Sequence, residues 1–183
     1  MKWYVVLILV LLVIDLLVLI VLYNRLIRLR NRMREGWSGV EVQLKRRHDL
    51  IPSLVKLVKS YAAHEREVYE EVASERSAAA TARGTGDVTE AEEKLAKGVG
   101  RLLALVETYP ELKADESYRD LMKELVNTED ELQYARRYYN GATRDLNNAI
   151  ESVPSNVVAW ACKFKKGEFF EVGAEAERMA PRI

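Results

Sequence analysis

The sequence is poor in the residues that build disulfide frameworks, loops and nucleic-acid surfaces. Of its 183 residues, only Cys162 is a cysteine, four are prolines and nine are glycines. A single cysteine excludes an intramolecular disulfide and any cysteine-rich metal site. Lysine plus arginine and aspartate plus glutamate both number 28. The chain thus lacks the basic excess typical of a nucleic-acid binder, and we predict no nucleic-acid partner.

Motifs for catalysis, metal binding and phosphate binding are also missing. His48 and His64 stand 16 residues apart, which places them on opposite sides of a straight helix. HERE at 64–67 lacks the second histidine of a zinc-protease helix, and RGTGD at 83–87 lacks the Lys-Ser/Thr of a phosphate loop. No spacing pairs a nucleophile with a base. We predict no enzyme activity, no cofactor and no metal, and identify no small-molecule substrate.

The chain does contain a long apolar run near its start. Residues 4–23 are apolar except for Asp15, and at about 1.5 Å per residue they span about 30 Å, the thickness of the hydrocarbon core of a bilayer. A secretory signal would have a shorter apolar region and a small-residue cleavage site. We therefore predict an uncleaved transmembrane helix, with Trp3, Tyr4 and Tyr23 at the interfaces.

Charges beside this run predict its orientation. Lys2 precedes it, whereas five arginines follow it in a basic juxtamembrane segment, residues 24–36: Arg25, Arg28, Arg30, Arg32 and Arg34. By the positive-inside rule, the short N-terminus, residues 1–3, is exported and the C-terminal domain lies in the cytoplasm at the inner membrane. The arginines are expected to face the headgroups of the lipid bilayer.

Asp15 is the one acidic residue of the predicted span. A central acid costs roughly 2.5–3.5 kcal/mol on insertion scales. Either the isolated acid is tolerated in its protonated form because the rest of the segment is so apolar, or it hydrogen-bonds to a neighbouring span and favours oligomers. The sequence leaves both alternatives open.

Apolar residues at helical spacing predict the remaining fold. A first long helix is expected to end at Gly84 and Gly86, and a second, over residues 89–108, to start with a capping box of Thr89 and Glu92. A third is expected over residues 115–152 and a short one over 156–171. The predicted fold class is all-α. A transmembrane helix precedes an antiparallel up-and-down helical bundle of three long helices and a short C-terminal helix, residues 37–171, with a C-terminal tail, residues 172–183.

The predicted lengths leave part of the first helix uncovered, because the second helix is much shorter. The uncovered seam consists of Trp37, Val40, Leu44, Ile51 and Leu54. Either the C-terminal helix folds over it or another copy of the chain does. We therefore expect a homo-oligomer, or another membrane protein as partner, to use this seam.

The stretch LKRRHDLIP, residues 44–52, combines cations with a proline inside a helical pattern. Pro52 predicts a kink, or a restart capped by Asp49. For the cations two alternatives are open. Arg47 pairs with a bundle carboxylate while Lys45 and Arg46 are solvated, or the three form an anion or lipid-headgroup site. WACKFKK at 160–166 favours core packing with a charged outer face over membrane docking.

Four stretches resemble the LemA family of bacterial membrane proteins. The first stretch begins with YNRLIRLRNRMREGW and ends with LVKSYAAHE. The other three are LLALVETYPELKADESYRDLMKEL, TEDELQYARRYYNGATRDLNNAIESVPSN and FKKGEFFEV. The resemblance implies an antiparallel helical bundle behind one membrane helix, with no established catalytic residues. A magnetosome-forming relative suggests, by analogy, a role in membrane organisation. Gly36 stands where a residue that favours helices, such as alanine, is expected. Together with Gly39 it is expected to loosen the joint between the anchor and the bundle. Ser38 and Glu41 are expected to cap a restart of the helix there.

Three functions fit these features. The first is a non-enzymatic, membrane-anchored scaffold that self-associates through its bundle. The second is an adaptor or binding module for another membrane protein, an enzyme or receptor. The third is an enzyme with an unrecognised site.

Overall fold

A computed structural model describes residues 2–170, and all regular elements among them are helices. They are α1 (Lys2–Tyr61), α2 (Arg66–Thr81), α3 (Thr85–Val106), α4 (Pro110–Ala114), α5 (Glu116–Glu151) and α6 (Ser155–Ala161). The predicted all-α class, with an apolar N-terminal helix in front of a bundle, is confirmed. Residue 171 and the predicted tail, residues 172–183, lie outside the described residues, as does Met1.

Helix α1 is a single helix of 60 residues that runs from the apolar segment into the bundle. The predicted restarts at Ser38 and Asp49 are wrong, because both residues lie inside it. The helix ends at Tyr61, and a turn over residues 62–65 leads into α2. The first helix therefore stops before the predicted end at Gly84, and the anchor and the bundle share one helix.

Helix α5 packs antiparallel along the bundle part of α1. Contacts join the two helices at successive levels, from the far end toward the apolar run: Tyr61 with Asp115, Arg47 with Glu129, Trp37 with Tyr139, and Leu26 with Ala149. Asp115 also caps α5, because its side chain accepts the backbone N–H of Ser117 at 2.8 Å. This pairing, rather than the one with the second helix, covers α1.

The hairpin of α2 and α3 completes a four-helix bundle at the far end. Its core is formed by apolar residues of α1, α2, α3 and α5, including Ile51, Leu54, Val58, Val72, Leu95, Leu102 and Leu125. Nearer the apolar run, the non-helical residues 162–170 pack beside α1 and α5. The predicted helix over 156–171 is thus too long, since α6 ends at Ala161.

The seam that the sequence left open is covered within the chain. Val40, Leu44, Ile51 and Leu54 are at most 5% exposed. Trp37 is half-buried, with its ring centroid 5.3 Å from that of Tyr139 and 6.0 Å from that of Phe170. The expectation of an open seam failed because α5 runs along all of it, and α2 and α3 close its far part around Leu44, Ile51 and Leu54. A second copy of the chain cannot use this seam unless the bundle opens.

Gly36 lies where α1 and α5 approach closely, and not at a loose joint. A Cβ added there would lie 3.0 Å from the Cα of Tyr139, whereas one added at Gly39 would meet nothing within 4 Å. We expect Gly36→Ala to lower the free energy of unfolding by about 1–3 kcal/mol through overpacking. Gly39→Ala should raise it by about 1 kcal/mol through helix propensity.

The two glycine variants are matched in chemistry and differ only in the space around them. Urea unfolding of the detergent-solubilised chain, followed by circular dichroism, measures both. Equal stabilisation by the two alanines would contradict the close approach of α1 and α5 at Gly36.

Glu75 is held between α2 and α3 in surroundings that oppose its ionisation. Its Oε2 is buried without a hydrogen-bond partner, and its Oε1 lies 3.8 Å from Arg101. Burial, and next the charge of Glu71, raise the pKa of Glu75. Since ionisation is harder in the folded chain than in the unfolded one, the bundle loses stability as the pH rises through the folded-state pKa.

Replacing Glu75 by glutamine is therefore expected to stabilise the bundle at neutral pH. The gain should shrink as the pH falls through the raised folded-state pKa of Glu75, and it should be absent below about 4.5, the ordinary pKa of a glutamate. Thermal unfolding followed over a series of pH values measures this difference. Glu90→Gln, which removes the exposed partner of Lys94, is the control and should show no gain. A Glu75→Gln variant without a gain would contradict the burial of an ionised Glu75.

Candidate functional site

Two carboxylates, an arginine and a histidine meet inside the bundle where α1, α3 and α5 come together. His48 Nε2 lies 2.6 Å from Glu92 Oε1, and Arg47 Nη1 donates to Glu92 Oε2 at 3.2 Å. Arg47 Nε also lies 3.6 Å from Glu129 Oε2. We call Arg47, His48, Glu92 and Glu129 the charge cluster. Because each ion pair joins two different helices, the cluster favours one register of the bundle.

The charge cluster is shielded from water. The side chain of Glu92 is 2% exposed and that of Arg47 is 10% exposed. Arg136, which lies 3.6 Å from Glu129, stacks over the ring of Phe170 at 5.0 Å. The polar contacts thus extend from the cluster to the non-helical segment that closes the bundle.

Glu92 is the member of the cluster that the sequence analysis misplaced. The predicted capping box is wrong, because α3 begins at Thr85 and Glu92 lies well inside it. The signal was present, since Glu92 stands between Val88 and Leu95 in the apolar stripe of α3. A buried carboxylate in such a stripe is costly unless a cation pairs with it, and Arg47 lies in the corresponding stripe of α1.

Arg76 explains why α1 continues through Pro52. Proline has no N–H, so the carbonyl of His48, four residues earlier, has no donor within the helix. The Nε of Arg76 in α2 donates to this carbonyl at 2.7 Å. The predicted restart does not occur, because a second helix supplies the hydrogen bond that α1 lacks.

A cleft of about 340 Å³ opens beside the charge cluster, between α1, the end of α2 and the start of α3. Its lining combines small apolar side chains with charges of both signs, among them Glu41, Lys45, Asp49, Arg76 and Arg83. A mixed rim over an apolar floor fits the side chains of a polypeptide better than a simple anion. Within residues 2–170, no group of three or more His, Cys, Asp or Glu is placed to hold a metal ion.

The three cations of LKRRHDLIP do not form one site. Arg47 is buried and paired with Glu92 and Glu129, whereas Lys45 and Arg46 are exposed. Lys45 lines the cleft and Arg46 does not. The arrangement corresponds to the first alternative, in which Arg47 pairs with bundle carboxylates, and the three-residue anion site is not assembled.

The residues predicted to contact the membrane lie along the first half of α1. Of the part of the chain that the structure describes, α1 is the one helix long and apolar enough to cross a bilayer. Trp3, Tyr4 and Asp15 are exposed along it. The rings of Tyr23 and Phe164 meet edge to face at 6.1 Å. Four of the five arginines beyond Tyr23 are exposed, namely Arg25, Arg28, Arg32 and Arg34. The fifth, Arg30, is partly buried and stacks over the ring of Phe164 at 5.2 Å.

Two asparagines of α5, missed in the sequence analysis, hold the non-helical segment in place. Asn147 accepts the N–H of Gly167 at 2.8 Å and donates to its carbonyl at 3.0 Å. Asn140 makes the same pair of bonds to Phe170, at 2.9 and 3.0 Å. Asparagines two helical turns apart on one face were the available signal. They bind backbone atoms, so they fix the path of the segment with little regard to its sequence.

Comparisons with known proteins agree with this architecture. The pattern of the LemA family matches residues 36–183. Magnetosome proteins MamQ 1 and MamQ 2 of Paramagnetospirillum magneticum are each 28% identical over 179 residues, covering 84% of this chain and 66% of the relative. MamQ of Magnetospirillum gryphiswaldense is 27% identical, covering 83% and 65%.

The chain spans slightly less than two thirds of the length of these relatives. The family match, by contrast, covers all of the described chain from Gly36 onward. It includes both the charge cluster and the segment that the two asparagines hold. Because this match covers most of the chain, the chain belongs to the LemA family.

Proposed function

We propose that the chain is a non-enzymatic scaffold, anchored in the inner membrane by residues 4–23, that self-associates through this span. Asp15 is the observation that carries the proposal. It is exposed on a part of α1 that the bundle does not reach, and among residues 2–170 no side chain pairs with it. A carboxyl group in hydrocarbon is costly, and a hydrogen bond to the span of a second copy offsets that cost.

The bundle supports this location of the contact. Its apolar seam is already covered by α5, so the bundle is complete within one chain. Self-association therefore belongs to the span and not, as the sequence analysis expected, to the seam. The arginines that follow the span support a cytoplasmic location of the bundle, by the positive-inside rule.

The relatives support a role in membrane organisation as part of this proposal. The three MamQ proteins are magnetosome proteins by name, and they match 83–84% of this chain. For this chain we propose only the general role: copies that associate in the bilayer and hold their bundles side by side at its surface.

Replacing Asp15 by leucine tests the proposal. The wild-type chain in detergent or nanodiscs should be an oligomer by light scattering, and Asp15→Leu should shift it to the monomer. Asp15→Asn, which keeps a hydrogen-bonding group, should retain the oligomer, as should the apolar control Val13→Leu. A monomeric wild type, or an Asp15→Leu variant of unchanged size, contradicts the proposal.

The cleft favours a second candidate, an adaptor that binds another membrane protein. Its charged rim and apolar floor suit a polypeptide segment. A photo-crosslinking residue introduced at Lys45, inside the cleft, should then capture one defined protein in cells. The same residue at the neighbouring Arg46, which is exposed outside the cleft, should not capture it. Equal capture at both positions would contradict binding in the cleft.

A further inference from the structure

Helix α6 lies beside the point where the apolar run of α1 ends. The buried face of α6 packs on Leu26, and Leu22 contacts the same cluster. At a rise of about 1.5 Å per residue, Leu26 is only about 4–5 Å beyond Tyr23 along α1. The helix therefore sits at the level of the headgroups of a bilayer spanned by residues 4–23.

The opposite face of α6 is apolar and uncovered. Val157 and Trp160 lie three residues apart on this helix and are 61% and 83% exposed, and Val153, just before the helix, is 82% exposed. Trp160 and Val153 are more exposed than any large hydrophobic residue of the apolar run for which α1 leaves the side chain exposed. The predicted core packing of 160–166 is therefore wrong for Trp160, and only Phe164 of this stretch is packed against the core.

The charges around this face are arranged as in a helix that lies in a membrane interface. From residue 152 to residue 162 the chain has no Asp, Glu, Lys or Arg. Lys163 and Lys165 follow and are exposed, and Arg25 and Arg28 are exposed on α1 close to the end of the apolar run. An apolar face with tryptophan, bordered by cations, is the pattern of interfacial helices on anionic lipid.

We propose that α6 is a second membrane contact of this chain. Val153, Val157 and Trp160 insert among the lipid headgroups and upper acyl chains, and Lys163 and Lys165 lie on anionic headgroups. Because α1 is continuous, the span and α6 together fix the tilt of the bundle and its rotation about α1. The cleft and the charge cluster then stand at a defined height and angle above the membrane. This contact does not depend on whether the chain self-associates.

Cys162 is the one cysteine of the sequence, and it is exposed just after α6. A label on Cys162 therefore tests the membrane contact of α6 without a new cysteine. An environment-sensitive fluorophore on Cys162 is followed after reconstitution into vesicles of phosphatidylcholine with phosphatidylglycerol. We expect a blue-shifted emission that is quenched by lipids carrying a nitroxide near the headgroup. The control carries Cys162→Ser and a labelled cysteine in place of Val42, which is exposed far from the span, and should report water.

Substitution of the apolar face separates membrane docking from a location that is merely near the membrane. Val157→Asp with Trp160→Asp should move the emission of the Cys162 label to that of the Val42 control. Thermal unfolding should be unchanged, because both side chains are exposed. Vesicles of phosphatidylcholine alone should give weaker lipid quenching. Two results would overturn the proposal. The first is a Cys162 label that reports water in the wild-type chain, as expected if a protein covers this face instead. The second is lipid quenching that survives the double substitution.

Discussion

Replacing Glu92 by alanine is expected to lower the free energy of unfolding by about 3–5 kcal/mol, the usual cost of breaking a buried ion pair from one side. The carboxylate of Glu92 contacts both Arg47 and His48 and is almost completely shielded from water. Its removal leaves the guanidinium of Arg47 with a single, longer contact to Glu129. Chemical unfolding of the purified chain, followed by circular dichroism, measures the loss.

Two further variants show whether uncompensated charge is the cause. Glu92→Gln keeps the size of the side chain but not its charge, and should lie between alanine and wild type. Replacing Arg47, His48 and Glu92 by apolar residues (Arg47→Met, His48→Leu and Glu92→Leu) should recover part of the lost stability, because the guanidinium of Arg47 is then no longer left without Glu92, and Glu129 keeps its contact with Arg136. A Glu92→Ala variant within about 0.5 kcal/mol of wild type, the range of ordinary surface substitutions, contradicts the structural role of the cluster.

Replacing Pro52 by alanine should stabilise the chain, by at most about 3 kcal/mol, the usual cost of a proline inside a helix. The gain should fall short of that limit, because the Nε of Arg76 already satisfies the carbonyl of His48. Arg76→Met alone should lower stability by about 1–3 kcal/mol, since it leaves this carbonyl without a donor. In the Pro52→Ala background the same substitution should cost much less, because the amide at position 52 then donates to the carbonyl.

A double-mutant cycle of Pro52→Ala and Arg76→Met gives the coupling directly. Four chains are unfolded by urea under identical conditions, and the coupling energy is the amount by which the two effects fail to add. We expect a coupling of about 1 kcal/mol or more, the net worth of one hydrogen bond. Additive effects would show that Arg76 does not replace the missing helix bond of Pro52.

The sequence was sufficient for the fold class and the apolar span, because both depend on local periodicity and composition. It was insufficient for the break at 62–65, where neither glycine nor proline marks the turn. Spacing shows that the seam of α1 is apolar but not which helix covers it, so the pairing with α5 was missed. The outward face of α6 was misread for a related reason, since Trp160 and Phe164 have the same apolar character and only the packing shows which one is covered.

The site was less predictable than the fold, because its parts come from distant positions. Arg47 and Glu92 are 45 residues apart, and Asn147 and Gly167 are 20 apart. Their positions within apolar stripes marked them as unusual, but periodicity gives no partner for a stripe residue. Long-range pairing had to come from the structure.

The central feature of this fold is that α5 covers α1 of the same chain, and a distance measurement tests this most directly. Val42 and Tyr134 are exposed at the same level of the two helices, between the contacts of Trp37 with Tyr139 and of Arg47 with Glu129. Spin labels at both positions, in a Cys162→Ser background in nanodiscs, report their separation by pulsed electron resonance. The account predicts one short distance that persists when labelled chains are diluted with unlabelled ones. Loss of that distance on dilution would mean that α5 comes from another copy, and would contradict the account.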